Sequence, residues 1–596
     1  MSSESINSYS GSKDSFFGNG NLKQPDALYR NLDNSSGFGV DSAACLEIIV
    51  KLDKNEEKEI IILLGVTSDK EKIKEISDNY LDSEKVNSQK EKRKNYWEDI
   101  LSTVKIKTPD EALNIMMNGW LVYQTISSRL LAKTGYYQSG GATGFRDQLQ
   151  DAIGIALIDS NYLKKQILFA ARHQFIEGDV LHWWHSETKK GVRTRFSDDY
   201  LWLVYAVLEY IKVANSDDII FEEVVYLNGE KLLENEEEKY NSFYGGNVKE
   251  NIFKHCERAI NNCIDKGINP FPRIGTGDWN DGFSNVGVKG NGQSVWLGFF
   301  LYDILNRFID VCKKMNREDL VKKYSDVKMN LKKNLNSEGW DGRWYKRAVT
   351  DDGDVIGSLD SEECRIDSLS QSWSIISDAA DNDKKYIAMS EVENHLIDKE
   401  NGIIKLFDPP FEKTKINPGY IKAYLPGIRE NGGQYTHAAC WVMIAEAMLG
   451  FGDKAYECAT MINPIEHSKT KDEAKRFKLE PYVLAADIYV NKDMLGRGGW
   501  NWYTGSSSWY YKGVLEYILG LKVENGYLKI KPCIPKDWKE YEIEYKYKSS
   551  VYRIKIYNKK SKNYGVEKMF LDGIEILENR ILLENNGKIN NVEIFM

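Results

Sequence analysis

The spacing of apolar positions changes character several times along the chain. Residues 1–40 are rich in Ser, Gly and Asn and carry no period. Two β-branched runs follow, CLEIIVKL at 45–52 and KEIIILLGV at 58–66, with a charged turn between them, and together they predict a hairpin. Residues 67–107 mix Lys and Glu with spaced apolar positions and predict a helical linker. From Thr108 to about residue 520 helical spacing dominates. Thr108-Pro109-Asp110-Glu111 opens it with a cap, a proline at the first helical position and acids in the first turn. About a dozen helices are predicted, near 109–133, 146–173, 197–213, 248–266, 293–315, 318–334, 367–380, 383–397, 434–451, 453–462, 471–489 and 507–519. Long loops rich in Gly, Trp, Arg and His separate them. After Gly520 the period becomes two, in LKIKPCI, YEIEYKYK and VYRIKIYN, so 521–596 predicts a small β domain. The expected fold is mainly α, an (α/α)6 toroid over 108–520, although no clean repeat is visible.

Composition narrows the function. A net charge of −9 without a basic stripe excludes a nucleic-acid binder. The aromatic share of 12%, with 35 Tyr and 15 Trp, suits a carbohydrate-handling protein. Eight scattered cysteines without a CxxC pair read as reduced core thiols rather than a disulfide frame or a zinc site. The polar amino terminus lacks the apolar segment of a secretory signal, and the longest apolar run, 60–66, is too short to span a bilayer. A cytoplasmic protein without membrane contact is expected.

Chemistry concentrates in five loop clusters. The central one is 273–282, RIGTGDWNDG, where Asp278 and Asp281 flank Trp279 and Asn280 between glycines. A carboxyl beside an apolar ring is partly desolvated and holds its proton, as a general acid must. Taken alone, the stretch reads more readily as an ordinary loop with an Asx-turn. The others are YYQSGGATGFRDQLQD at 136–151, HQFIEGDVLHWWH with RTRFSDD over 173–199, RENGGQYTH at 429–437 and GRGGWNWYTGSSSW at 496–509. Singly, His437 reads as a core histidine, Arg146-Asp147 as a helix-capping pair, and Thr504-Gly505-Ser506-Ser507 as an N-cap. All fall in inter-helix loops and join aromatics to charged or hydroxyl groups, which fits one site.

GFRDQLQD, RFSDD, GDWNDG, RENGGQYTHA and GRGGWNWYTGS, in that order, resemble the glycoside phosphorylases of glycoside hydrolase family 94, over roughly residues 15–540. That family includes cellobiose, chitobiose, laminaribiose, cellodextrin and 1,2-β-oligoglucan phosphorylases and the carboxy-terminal domain of cyclic β-1,2-glucan synthase. The resemblance implies reversible, inverting phosphorolysis of a β-glucoside to α-glucose 1-phosphate, with phosphate as co-substrate and no metal or organic cofactor. By motif, Asp281 resembles the general acid. Arg146, Asp147 and Trp279 resemble binders of the transferred glucose, and Arg429 a contact to the acceptor. His437, Thr504 and Gly505 resemble the phosphate site. Cellobiose- and chitobiose-specific members carry a further phosphate-contacting arginine a few residues before FRD. Here that stretch is Ser139-Gly140-Gly141-Ala142-Thr143, and Arg193 or Arg195 is the candidate substitute. Family members also open with a β-sandwich, of which 1–66 resembles a remnant, as in a truncated product or one piece of a longer synthase. A homodimer is a candidate assembly. The alternatives are an inverting hydrolase on the same fold, needing a second carboxylate, and an inactive sugar-binding domain.

Overall fold

The structure is a computed structural model, and it describes every residue except 68, 133–139 and 234–235. Residues 136–139 of the first loop cluster therefore lie outside the described residues. The chain divides into two compact units, Met1–Ile100 and Leu101–Met596.

In the first unit Ser8–Ser12 pairs antiparallel with Ser42–Glu47, placing Ser8 opposite Glu47 and Ser10 opposite Cys45. The expected hairpin of 45–52 with 58–66 does not form. The backbone of the second run is met by the amino terminus instead: Ser3 N donates to Ile61 O and Leu63 N to Met1 O, both at 2.9 and 2.8 Å respectively. A strand as polar as SYSGS carries no hydrophobic period, so the sequence pattern could not announce it as the partner. Asp69 caps the helix Lys70–Tyr80, accepting from Glu71 N.

The second unit is built on six helices: Phe145–Gly154, Asp199–Ala214, Val295–Lys314, Ser368–Ile376, Thr436–Met448 and Ser506–Lys512. The last of these runs on into the wider turns of Gly513–Ile518. Each touches the next in that order, and the last touches the first. Residues 199–210, 368–375 and 436–447 are buried on every face, as expected of helices enclosed by others. A further helix packs against each: Ser160–Ala171, Ile252–Asp265, Glu318–Ser337, Asn382–His395, Gly452–Ile462 and Leu121–Thr125. At the centre, Trp202, Trp296, Trp373, Trp441 and Trp509, one from each of five helices, meet ring to ring. Trp441 lies 5.3 Å from Trp373 and 5.5 Å from Trp509. The sixth helix contributes Gln150, whose Oε1 accepts from Trp509 Nε1 at 3.0 Å. Much of the tryptophan content thus builds the core under the site.

Several helix boundaries differ from expectation, and at the first of them Asp110 rather than Thr108 caps the opening helix, accepting from Leu113 N. The stretch 146–173 is two helices, because Asp159 caps a new one at Ser160 by accepting from Asn161 N. The expected 471–489 stops at Phe477, where Lys478 takes φ 61° and Pro481 follows. After residue 520 comes a six-stranded sheet. Val104–Lys107, at the end of the expected linker, is its edge strand, with Ile106 opposite Ile543. Among the described residues no helix is long and apolar enough to cross a membrane.

Candidate active site

The residues expected to carry chemistry collect where the six enclosed helices begin. Arg146 and Asp147 open Phe145–Gly154, His437 opens Thr436–Met448, and Thr504-Gly505 precede Ser506. Each helix start contributes unpaired N–H groups and the positive end of a dipole, so this end of the unit favours anions.

The loop 273–282 crosses the same end and is held rigidly. Gly275 and Gly277 adopt φ 62° and 147°, and a Cβ on Gly275 would lie 2.0 Å from the Arg195 carbonyl oxygen. Ser197 N and Oγ both donate to Gly277 O, at 3.0 and 3.1 Å. Asp278 is completely buried against the equally buried Arg347, which donates to both its oxygens at 2.7 Å. Ser294 Oγ donates to it at 2.7 Å and Asn280 N at 3.1 Å. Burial alone would raise this carboxyl, but Arg347 and these donors hold it below the usual carboxylate range. Asp278 is therefore an anchored anion.

Asp281, three residues on, has a side chain 35% exposed. It pairs with Arg146 and lies 3.8 Å from His182 Nε2. Its pKa moves the opposite way. Burial raises it, with Asp199 and Asp147 adding repulsion, and Arg146 and His182 offset this only in part. Arg146 is itself steered by Asp198 Oδ1 at 2.7 Å and the Asp278 carbonyl at 2.8 Å. His182 Nδ1 meets Asp199 Oδ2 at 2.8 Å while its ring stacks on Phe196. Burial works against its charge, but Asp199 prevails and lifts it to about 9.

A second cluster adjoins the first. Trp279 packs 5.3 Å from the His437 ring, and Asp147 is lowered by Arg129, Arg146, His182 and His437 together against its burial, so it faces both clusters. A Cβ on Gly505 would lie 3.7 Å from both His437 and Asp151. His437 Nε2 is buried without a hydrogen-bond partner. Burial pushes this imidazole down to about 3, so it stands neutral. Thr504 Oγ1 and Ser506 Oγ are 2.8 Å apart. The cation here is Arg129, 2.7 Å from Asp151 and 3.5 Å from Asp147, with its guanidinium over Tyr503. Arg193, one of the two arginines expected in this role, is instead saturated by Asp179 and Glu177 at 2.6–3.0 Å. Arg195 donates to Leu233 O.

The remaining expected positions are less uniform. Trp279 is only 7% exposed, its ring enclosed by Tyr435, His437 and Trp441, so most of its face is committed to protein. Trp184 is fully buried and stacks on His173, and so offers nothing to a ligand. Arg429 stands apart from Asp281's ion pairs. It takes φ 53° and spreads over Trp500 at 4.0 Å and Tyr424 at 4.7 Å, an aromatic rim. Sequence reasoning did not single out Arg129, His182 or Arg347. Arg129 did leave a signal, as a lone charge within the otherwise uncharged run GWLVYQTISSRLL. Among the described residues no cluster of three or more His, Cys, Asp or Glu is arranged to hold a metal ion.

Comparison with known proteins places these features in context. Residues 96–520 match the family model described as the catalytic domain of the glycosyl hydrolase 94 superfamily, and residues 1–83 match its supersandwich domain. Cyclic beta-(1,2)-glucan synthase NdvB of Rhizobium meliloti (strain 1021) is 39% identical over 92% of this chain, which spans only 20% of that protein. Solabiose phosphorylase of Paenibacillus borealis is 26% identical over 99% of the chain and 73% of its own length. N,N'-diacetylchitobiose phosphorylase of Vibrio proteolyticus is 25% identical, with 99% and 74% covered.

Proposed function

Because this chain belongs to the glycosyl hydrolase 94 superfamily, we propose that it is an inverting glycoside phosphorylase that transfers a terminal β-glucosyl unit to inorganic phosphate. The cycle of six helices with six outside it is read as an (α/α)6 toroid, with 1–66 as part of a sandwich and 521–596 as a β domain. The observation that carries the reading is the juxtaposition of Asp281, a carboxyl biased to keep its proton, with an anion pocket one tryptophan ring away. Inverting hydrolysis needs a carboxylate base to activate water. Phosphate arrives already anionic and needs donors and positive charge instead.

In the reaction, the Asp281 proton passes to the glycosidic oxygen as the C1–O bond breaks. A phosphate oxygen attacks C1 from the opposite face, giving α-glucose 1-phosphate and the shortened acceptor. Arg146 and Asp147 hold the transferred glucose, with Trp279 forming the wall between sugar and phosphate. His437, Thr504 and Gly505 bind phosphate, and Arg129 supplies the positive charge that a neutral His437 lacks. Arg429 with Trp500 and Tyr424 receives the acceptor. No cofactor beyond phosphate is invoked.

Identity of 39% to a cyclic β-(1,2)-glucan synthase, against 25–26% to the two phosphorylases, favours β-1,2-linked gluco-oligosaccharides as substrate. The test runs the reaction backwards: α-glucose 1-phosphate is supplied with sophorose, cellobiose, laminaribiose or glucose, and released phosphate is measured. Release with sophorose above the others is expected. Release with none of them would defeat the phosphorylase reading, and a preference for cellobiose or laminaribiose would defeat the linkage.

A further inference from the structure

The loop 273–277 and the segment 193–197 also wall a cavity of about 410 Å³, lined by none of the residues given a part in the proposed reaction. Its size falls within the range of small-molecule sites, about 300–1,000 Å³. Five cationic side chains face it and only two carboxylates. Those two are already neutralised: Asp179 takes both Nε and Nη2 of the buried Arg193, and Glu177 takes Arg193 Nη2 at 3.0 Å and Lys231 at 3.6 Å.

That leaves Arg195, Lys266 and Arg273. Among the described residues none of the three lies within ion-pair distance of a carboxylate. Arg195 donates to the Leu233 carbonyl and Arg273 to the Asn291 carbonyl, while the Lys266 ammonium stands 5.2 Å from the Tyr200 ring. Desolvation, with repulsion from Arg195 and Arg193, lowers the pKa of Lys266 despite the nearby Asp179. Glu236 feels the charge of Arg195 and Asp179 that of Lys266, but neither makes an ion pair with them, and three gathered cations raise one another's energy unless an anion joins them. A second observation points the same way. Asn262, on the same wall, buries its Nδ2 donor without any hydrogen-bond partner, an arrangement that normally costs on the order of 1–3 kcal/mol.

We propose that this cavity is a second anion site, built for a phosphoryl group carried by a small molecule or free in solution. Two guanidinium forks, an ammonium and an amide donor match a tetrahedral, doubly charged anion better than a single carboxylate. The site is wired to the acid loop, since Ser197 clasps Gly277 and the next residue on each side is Asp198 or Asp278. The inference does not depend on the reaction assigned above.

The test uses the full chain, titrated calorimetrically with inorganic phosphate and, separately, with glucose 6-phosphate. In the His437→Ala background, which weakens the proposed substrate-phosphate pocket while leaving Arg129 in place, the anion held by this cavity still binds. Lys266→Gln and Arg195→Gln, each checked for an unchanged melting temperature, weaken that binding tenfold or more, and Lys266→Arg restores it. Binding of both probes identifies the free anion as sufficient, and binding of glucose 6-phosphate alone identifies a phosphorylated sugar. The proposal is overturned if neither probe binds in the His437→Ala background, or if binding is indifferent to both charge removals.

Discussion

Two ends of one loop make the most instructive contrast in this molecule. At Asp278 the carboxylate is sealed from water and clasped by Arg347, Ser294 and the Asn280 amide. At Asp281 a third of the side chain is open, and the partners are Arg146 and His182, which are themselves shared with Asp198 and Asp199. The two residues share a type and lie within four positions, yet their pKa values are driven in opposite directions. A carboxylate with every lone pair satisfied by fixed donors holds structure. One whose partners are divided among several acids is free to exchange a proton.

If that contrast is right, the two positions separate by readout. Asp281→Asn removes the proton donor and keeps the shape, so turnover of a glucoside with a poor leaving group falls ~10²–10⁴-fold. An aryl glucoside whose phenolate leaves unaided loses far less, and the melting temperature stays put. Steady-state rates on the two substrates decide this, and an equal loss on both would remove Asp281 from the acid's role. Asp278→Asn should instead cost stability, about 3–5 kcal/mol in denaturant unfolding, because it breaks the two short bonds to the buried Arg347 and leaves it only Asp367, 3.5 Å away, as a carboxylate partner. The double change Asp278→Leu with Arg347→Met should cost less than the two single changes summed. In assays of activity alone Asp278→Asn is then the milder of the two, provided the chain remains folded.

Arg129→Gln probes the neighbouring pocket. Loss of a charged contact to phosphate is worth about 1.5–3 kcal/mol, read as a rise in apparent KM for phosphate with the KM for glucoside little changed. The smallest effect is expected at His182. Its folded pKa, about 9 against an ordinary 6.5, lies above the unfolded value. The stability it confers is therefore complete below about pH 6.5 and lost as pH rises through 9. Unfolding by urea at pH 6 and pH 9 should show the advantage of wild type over His182→Gln shrinking by roughly 1–2 kcal/mol.

The contrast also shows what the sequence could and could not reveal. Helical periodicity is local, so most of the long helices and the loops between them were legible, whereas the cap at Asp159 inside an apolar-periodic stretch was not. The motif GDWNDG marked both carboxylates, but what distinguishes them is Arg347, 69 residues from Asp278, and Arg146, 135 residues before Asp281. Such pairings are set by the cycle of helices and leave no local trace. The high aromatic share is explained only in part by the site, for a related reason. Aromatic residues near polar loops suggest sugar stacking, whereas Trp184 and the five central tryptophans fill the interior. In the first unit, Pro25 and Leu32 are the apolar side chains that are buried among the described residues, so its strands rest on backbone pairing that no hydrophobic pattern announces.

The central claim is that Asp281 donates a proton while phosphate, not water, attacks. The most direct test follows cleavage of a β-1,2-linked gluco-oligosaccharide by proton NMR with and without inorganic phosphate. The account predicts α-glucose 1-phosphate in step with the phosphate supplied, and negligible free glucose when phosphate is withheld. Glucose released at an undiminished rate without phosphate would contradict it.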